Sequence, residues 1–429
     1  MNKNSCFIYC PIDVYSGYSQ RSRDIVKSLI ELKQNEWDIK IIPCNWGNCP
    51  HGYIEENKEW DFLTKYIHSG PLTSQPDIFI WITVPNEFQK IGKYNIGITA
   101  GLETDIVPAE WIEGCNRMDL VLVSSEHSKQ SFINSKFNKT NNQTKQIEGI
   151  IELKTKMEVL FEGIDTNTYN KILPDISNPV VKTLRDDIKE DFCFLFCGTW
   201  LPGNLGEDRK NVGLLIKTFL ETFKNKKQKP ALILKTSIVG SSYMDRDEIL
   251  KRISSIRSTV NSVDLPNIYL LHGEFTDIEM NYIYNHPKVK AMVSLTKGEG
   301  FGRPLLEFTQ SKKPIITTNW SGHIDFLKAE FSPLIGGKLT NVHPSAANNM
   351  LLSEAKWFSP DVNQVFNILR DVFENYKNYK DGATRQSFFA KQNFSFEKMT
   401  EKLKEYLDII PEFPKQTQLI LPTLQKIKQ

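Results

Sequence analysis

The segment Lys297-Gly298-Glu299-Gly300-Phe301-Gly302-Arg303-Pro304-Leu305-Leu306-Glu307 sets two carboxylates around a run of small residues. It follows the apolar stretch Ala291–Leu295, which reads as a strand, and leads into a helix expected over Arg303–Gln310. Glycines let a ligand approach the backbone, and Pro304 suits a first helical turn. The unpaired N–H groups of Gly300, Phe301, Gly302 and Arg303 would face that ligand with the positive end of the helix dipole, an arrangement that suits a phosphate or diphosphate. Glu299 lies just before the helix, and Glu307 lies within it with its side chain directed back toward the start. Neither can hold an anion, but both can accept hydrogen bonds from sugar hydroxyls on either side of one. The plainer alternative is a capping cluster with a surface glutamate.

Cations stand where such a ligand would need them. Glu207-Asp208-Arg209-Lys210-Asn211 opens a helix expected over Val212–Phe223, after the strand Phe192–Cys197 and Gly198-Thr199-Trp200. A helix start disfavours cations, so Arg209 and Lys210 there argue for a bound anion; basic residues on an open surface are the alternative. Both groups could meet charge that builds on a leaving phosphate. Lys235, at the end of the strand Ala231–Thr236, either adds a phosphate or sugar contact or simply reaches solvent.

Nearer the start, Gly17 sits in a flexible loop, Val14–Gln20, between the first strand and its helix. Glu103 and Asp105 follow the strand Asn95–Thr99 and are candidates to bind or polarise an acceptor hydroxyl. Ser125 reads as a helix cap rather than a nucleophile. Cys44, Cys49 and His51 offer three metal ligands without the second half of a clip and read as a loop. Asp245-Arg246-Asp247 falls in a helical stretch and reads as incidental, so no metal site is expected.

These segments need elements to present them. Strand-like runs at Cys6–Cys10, Ile39–Pro43, Asp77–Ile82, Asn95–Thr99, Leu120–Ser124 and Met157–Phe161 alternate with helical periodicity, clearest in Gln20–Leu32. The signal breaks around Leu173–Asp191, at Pro174, Pro179 and a charged run, which marks a boundary. Alternation then restarts, with strands at Phe192–Cys197, Ala231–Thr236, Ile268–Leu271, Ala291–Leu295 and Ile315–Thr318. Helices are expected at Val212–Phe223, Arg246–Ser258, Thr276–Tyr284 and Arg303–Gln310. From Pro344 the chain reads as helical to about Leu407, followed by a proline-marked tail from Ile410; Asn138–Thr144 reads as a solvated loop. The expected fold class is α/β: two Rossmann-like, doubly wound parallel-sheet domains over 1–175 and 190–395, with a C-terminal helix and tail over 396–429. Doubly wound sheets bind ligands at the carboxyl ends of their strands, which is where Glu299, Lys235 and Glu103 fall.

A chain of 429 residues predicts two or three domains. Its 40% hydrophobic and 24% charged composition excludes disorder and collagen. A formal net charge of +2 supplies no global field for nucleic acid or an anionic membrane, so no stable nucleic-acid partner is expected. No apolar run approaches the roughly 18 residues of a membrane span, and Cys6–Cys10 reads as a first strand rather than a signal peptide. Seven scattered cysteines fit a reducing compartment, so a cytoplasmic location is expected.

Glu299-x7-Glu307 with Gly-Phe-Gly between resembles the E-x7-E signature of the family 4 retaining glycosyltransferases, two-domain GT-B enzymes that use nucleotide sugars. Leu160-Phe161-Glu162-Gly163-Ile164-Asp165 resembles the segment that closes that family's first domain, and the Gly17 loop resembles its glycine loop. The resemblance implies that Glu299 contacts donor-sugar hydroxyls, that the amides of Gly300, Phe301 and Gly302 contact the diphosphate, and that Glu307 holds the ribose. It puts Lys210 on the diphosphate, the nucleobase beside His272 and Gly273, and the acceptor on the first domain. The family's Arg after Gly198 is absent, Thr199-Trp200 standing there, and Arg209 is the candidate substitute. The family's usual acceptor-side His is also missing. The reaction that the resemblance implies is transfer of a sugar from a UDP- or GDP-sugar to a hydroxyl with retention, the leaving phosphate assisting attack on the same face, without metal or cofactor. The C-terminal helix would pack back onto the first domain, with closure about Leu173–Asp191. Peripheral membrane contact is left open by the resemblance. So are three rivals: a GT-B epimerase or phosphorylase, a non-catalytic sugar-nucleotide-binding protein, and a glycosyltransferase acting on a hydroxylated nucleic-acid base.

Overall fold

The computed structural model describes residues 3–141, 143–238 and 242–413. In its first part, β1 (Asn4–Cys10), β2 (Trp37–Pro43), β3 (Ile78–Ile82), β4 (Tyr94–Thr99) and β5 (Leu120–Val123) alternate with α1 (Gly17–Lys33), α2 (Tyr53–Glu56), α3 (Ala109–Cys115) and α4 (Glu126–Asn134). An antiparallel hairpin of β6 (Phe137–Thr140) and β7 (Ile147–Ile151) follows, and then β8 (Met157–Val159). The parallel sheet has six strands in the order β2-β1-β3-β4-β5-β8. β3 and β5 are buried along their whole length, as strands covered on both faces must be.

The second part repeats the plan. α5 (Pro179–Asp186) leads into β9 (Cys193–Cys197), α6 (Val212–Phe223), β10 (Ala231–Lys235), α7 (Tyr243–Ser258), β11 (Ile268–Leu271), α8 (Asp277–Asn285) and β12 (Val289–Ser294). α9 (Arg303–Thr309), β13 (Ile315–Thr318) and β14 (Leu334–Ile335) complete a six-stranded parallel sheet in the order β11-β10-β9-β12-β13-β14. Beyond it, β15 (Gly337–Asn341) pairs antiparallel with β16 (Lys356–Pro360), before α10 (Val362–Glu374), α11 (Lys380–Asn393) and α12 (Phe396–Leu407). No helix among the described residues is long and apolar enough to cross a membrane.

α12 returns to the first sheet. Its Phe396, Met399, Leu403 and Tyr406 join Ile25 and Leu29 of α1 in one core, and the Ser28 and Thr400 hydroxyls meet at 2.7 Å. The Glu162-Gly163-Ile164 turn is the seat of this helix: a Cβ on Gly163 would lie 2.7 Å from the Phe396 Cα. Ile164 donates its N–H to the Phe394 carbonyl and accepts from the Phe396 N–H.

Three expectations are corrected. The break at Leu173–Asp191 holds a helix, α5, whose Val180, Val181 and Leu184 enter the second core. Pro179 starts it rather than breaking it, because Asn178 caps it and a first helical position needs no N–H. Asn138–Thr144, expected as loop, supplies most of β6; its residues are largely exposed, so no apolar alternation marks the strand. The stretch from Pro344 is not helical until Val362: turns and β16 come first, and Trp357 packs inside a small core with Val342 and Ala355. The expected tail beyond Phe413, with Pro414 and Pro422, lies outside the described residues.

Candidate functional site

The two sheets present their carboxyl edges to one another, and the residues that bear charge meet there. Lys210 opens the turn before α6, its stem lying 3.7 Å from where a Cβ of Gly198 would stand. Its ammonium donates to both Glu299 oxygens, at 2.5 and 2.6 Å. Arg209 Nη1 lies 4.0 Å from Glu299 Oε2 and bonds Glu103 Oε1 of the first domain. Burial alone would raise the Glu299 carboxyl, but Lys210 and Arg209 outweigh it and hold the group below its ordinary range. Four of the residues singled out from the sequence, on both sides of the cleft, thus form one ionic cluster.

The glycines of the Glu299 loop have a neighbour the sequence did not suggest. A Cβ on Gly298 would stand 2.2 Å from the Glu103 carbonyl oxygen, and one on Gly300 would stand 2.5 Å from that of Ala100. The first-domain backbone, not empty space for a ligand, approaches them. The Gly300 carbonyl in turn accepts from Ser124 at 3.0 Å and from Ser125 at 2.6 Å, while Ser125 also caps α4, as expected. Phe301 points away into the second core beside Phe326. Gly302 takes a left-handed φ of 97° at the cap of α9, a helix of 7 residues.

Glu307 is equally buried but differently kept. Tyr284 donates to its Oε2 at 3.1 Å and Arg303 Nε to its Oε1 at 3.0 Å. Arg303 Nη1 also reaches Asp24 Oδ2 of α1 at 2.5 Å, a second ionic link between the domains. One guanidinium shared by two carboxylates does not offset the cost of burial. Glu307 is pushed up to about 7, and Asp24 is raised for the same reason. Tyr169 adds a bond to Asp277 at 3.0 Å nearby. Arg303, Asp24 and Tyr284 were not singled out from the sequence. Arg303 was legible as an i, i+4 partner of Glu307; Asp24, 279 residues from its partner, was not.

The other candidates line the same edge. Positions 17 and 273 face open space, since a Cβ on either glycine would meet nothing within 4 Å. His272 is half-buried, and its Nε2 has no hydrogen-bond partner. The Lys235 ammonium lies over the Phe275 ring, 5.6 Å from its centre. Asp105 is engaged elsewhere: its Oδ1 accepts from the Lys356 N–H at 2.7 Å and its N–H donates to the Lys356 carbonyl, tying β16 to the first domain. Two histidines also stand near this edge: His127 of α4, held near 4 by burial, and His323, also lowered by burial. Cys44 and Cys49 are free thiols, and among the described residues no group of three His, Cys, Asp or Glu side chains could hold a metal ion.

No protein-family model matches the sequence, and no curated protein matches it. Solved structures do match in three dimensions. HepE of Anabaena, crystallised with UDP and glucose, superposes with a TM-score of 0.60 at 12% identity, over 94% of this chain and 99% of that one. A glycosyltransferase from Rickettsia africae gives a TM-score of 0.60 at 14% identity, over 96% and 99%. Sucrose-phosphate synthase from Thermosynechococcus elongatus gives 0.61 at 11% identity, over 95% and 98%. The chain has the fold of these proteins, the two-domain α/β GT-B fold.

Proposed function

We propose that the protein is a retaining, metal-independent glycosyltransferase of the family 4 type, which moves a sugar from a nucleotide-diphosphate donor, a UDP- or GDP-sugar, to a hydroxyl acceptor. The observation that carries this reading is the meeting of Lys210, Arg209 and Glu299 at the carboxyl edge of the second sheet. Two cations there can neutralise a leaving diphosphate, which relieves the reaction of any need for a metal. Glu299, kept ionised by those cations, can accept hydrogen bonds from donor hydroxyls. The open positions at Gly17 and Gly273 and the unpartnered His272 nitrogen support a nucleotide beside them. HepE, with the same fold, was crystallised with UDP-glucose, which adds support for a UDP-sugar. Retention follows if the leaving phosphate takes the proton of the incoming hydroxyl on the same face, so the protein's own work is alignment and charge stabilisation.

Thermal unfolding in the presence of UDP, GDP, ADP, CMP and their sugar conjugates, without metal and then with Mg²⁺, tests this. A selective rise in Tm with one base, unaltered by Mg²⁺, is the expected result. A rise with inorganic phosphate or a sugar phosphate but no nucleotide would replace the transferase reading with that of a phosphorylase.

A further inference from the structure

Arg209 is the proposed substitute for the missing cation, yet among the described residues of its own domain no hydrogen bond fixes the direction of its side chain. Its backbone is held, since the carbonyl accepts the Lys297 N–H at 2.8 Å. Among the described residues of the second domain, its guanidinium has only a distant carboxylate, Glu299 at 4.0 Å, which Lys210 already occupies at 2.5 Å. The group that takes Arg209 Nη1 is Glu103 of the first domain, and both side chains are 18% exposed. Glu103 is itself fixed: its main chain rests on Gly298, where an added Cβ would lie 2.2 Å from its carbonyl oxygen and 2.9 Å from its own Cβ. A guanidinium has five N–H donors, so a carboxylate that takes one leaves the others for a second anion.

We propose that Glu103 is a positioning residue, which aims Arg209 at the donor diphosphate when the first domain closes on the second. This rests on the nucleotide-sugar reading above and replaces the expectation that Glu103 serves the acceptor. Closure of the domains and placement of the leaving-group cation become one event. With the domains apart, Arg209 loses its guide; with them together, its charge is held where charge develops on the departing diphosphate. Because Glu103 also repels a phosphate, it adds nothing to ground-state affinity. The consequence is a split: removing its charge slows turnover and leaves nucleotide binding equal or tighter.

Two measurements decide this. The first needs no ligand: thermal unfolding of the wild type, Glu103→Gln, Arg209→Gln and the double variant. The Tm losses of the single variants are expected to exceed, when summed, that of the double, as for residues in direct contact. The second is calorimetric titration with UDP and GDP, beside release of UDP from UDP-glucose and of GDP from GDP-mannose by hydrolysis. Glu103→Gln is expected to lower hydrolysis by about tenfold, with nucleotide affinity equal to wild type or up to about threefold tighter. Additive Tm losses, or wild-type hydrolysis by Glu103→Gln, would overturn the proposal while nucleotide binding upheld the transferase reading. A wild type that neither binds UDP or GDP nor hydrolyses their sugars would overturn that reading first, and this assignment of Arg209's target with it.

Discussion

Glu299 and Glu307 are the same residue type on one short segment, both 7% exposed, yet their surroundings move them in opposite directions. Glu299 has two cations, Lys210 and Arg209, and is held ionised. Glu307 shares one, Arg303, with Asp24 and is pushed up to about 7. Burial costs both of them; the balance of nearby charge decides the direction in which each moves. The difference also separates their partners. The cations at Glu299 stand in the turn before α6, whereas Arg303 stands at the start of α9 and reaches Asp24 of α1. One end of the segment carries the proposed ligand site, and the other joins the two domains through Arg303 and Asp24.

Breaking the Glu299 end should have the largest effect on activity. Glu299→Ala and Lys210→Ala are each expected to lower turnover at least about tenfold, roughly 1.4 kcal/mol of barrier, with a native circular dichroism spectrum. A wild-type rate in a folded Glu299→Ala protein would remove that carboxylate from the site.

The joint should answer in stability instead. Arg303→Ala leaves Asp24 and Glu307 buried without their cation, at a cost of about 3 kcal/mol in denaturant unfolding. Because both carboxyls are already raised, that cost should be larger at pH 8, where they must be ionised, than at pH 5.5, where protonation relieves them. A pH-independent cost would show that the guanidinium's packing, not its charge, is what counts.

The pH dependence of stability sharpens the contrast further. A carboxyl raised in the folded state stabilises the fold below its ordinary pKa, and that contribution is lost as pH rises through the folded value. Between the ordinary 4.5 and about 7, Glu307 should therefore cost the wild type stability. Glu307→Gln should flatten this decline by about 1–3 kcal/mol, whereas Glu299→Gln should not flatten it. Equal pH profiles for the two variants would remove the distinction.

Much of the fold could be read along the chain because its signals are local. β3, with the run Ile78–Ile82, and β12 are nearly continuous apolar stretches, and α6 begins and ends where its periodicity does. The elements that escaped lack such signals. β6 is exposed and polar, so no alternation betrays it, and β16 owes its strand to pairing with β15. α5 was hidden behind Pro179, a residue that begins helices as readily as it ends them. Among the candidate site residues, Glu299, Lys210 and Glu307 were legible as types at a spacing. Asp24 and Tyr284 were not, since each matters only through a partner distant in sequence.

The sequence by itself determined two parallel sheets, the strand ends that carry Glu299 and Glu103, the helix start that carries Lys210, and the carboxylate pair that brackets the Gly-Phe-Gly loop. Periodicity and turn chemistry act within a few residues, and that range suffices for those features. The tertiary structure decided what each charge faces. It set the first-domain backbone against Gly298 and Gly300, gave Arg209 to Glu103 and Arg303 to Asp24, and thereby moved the affinity of two similar glutamates for a proton in opposite directions. Electrostatic energy and burial depend on distance in space, so no reading along the chain could have apportioned them.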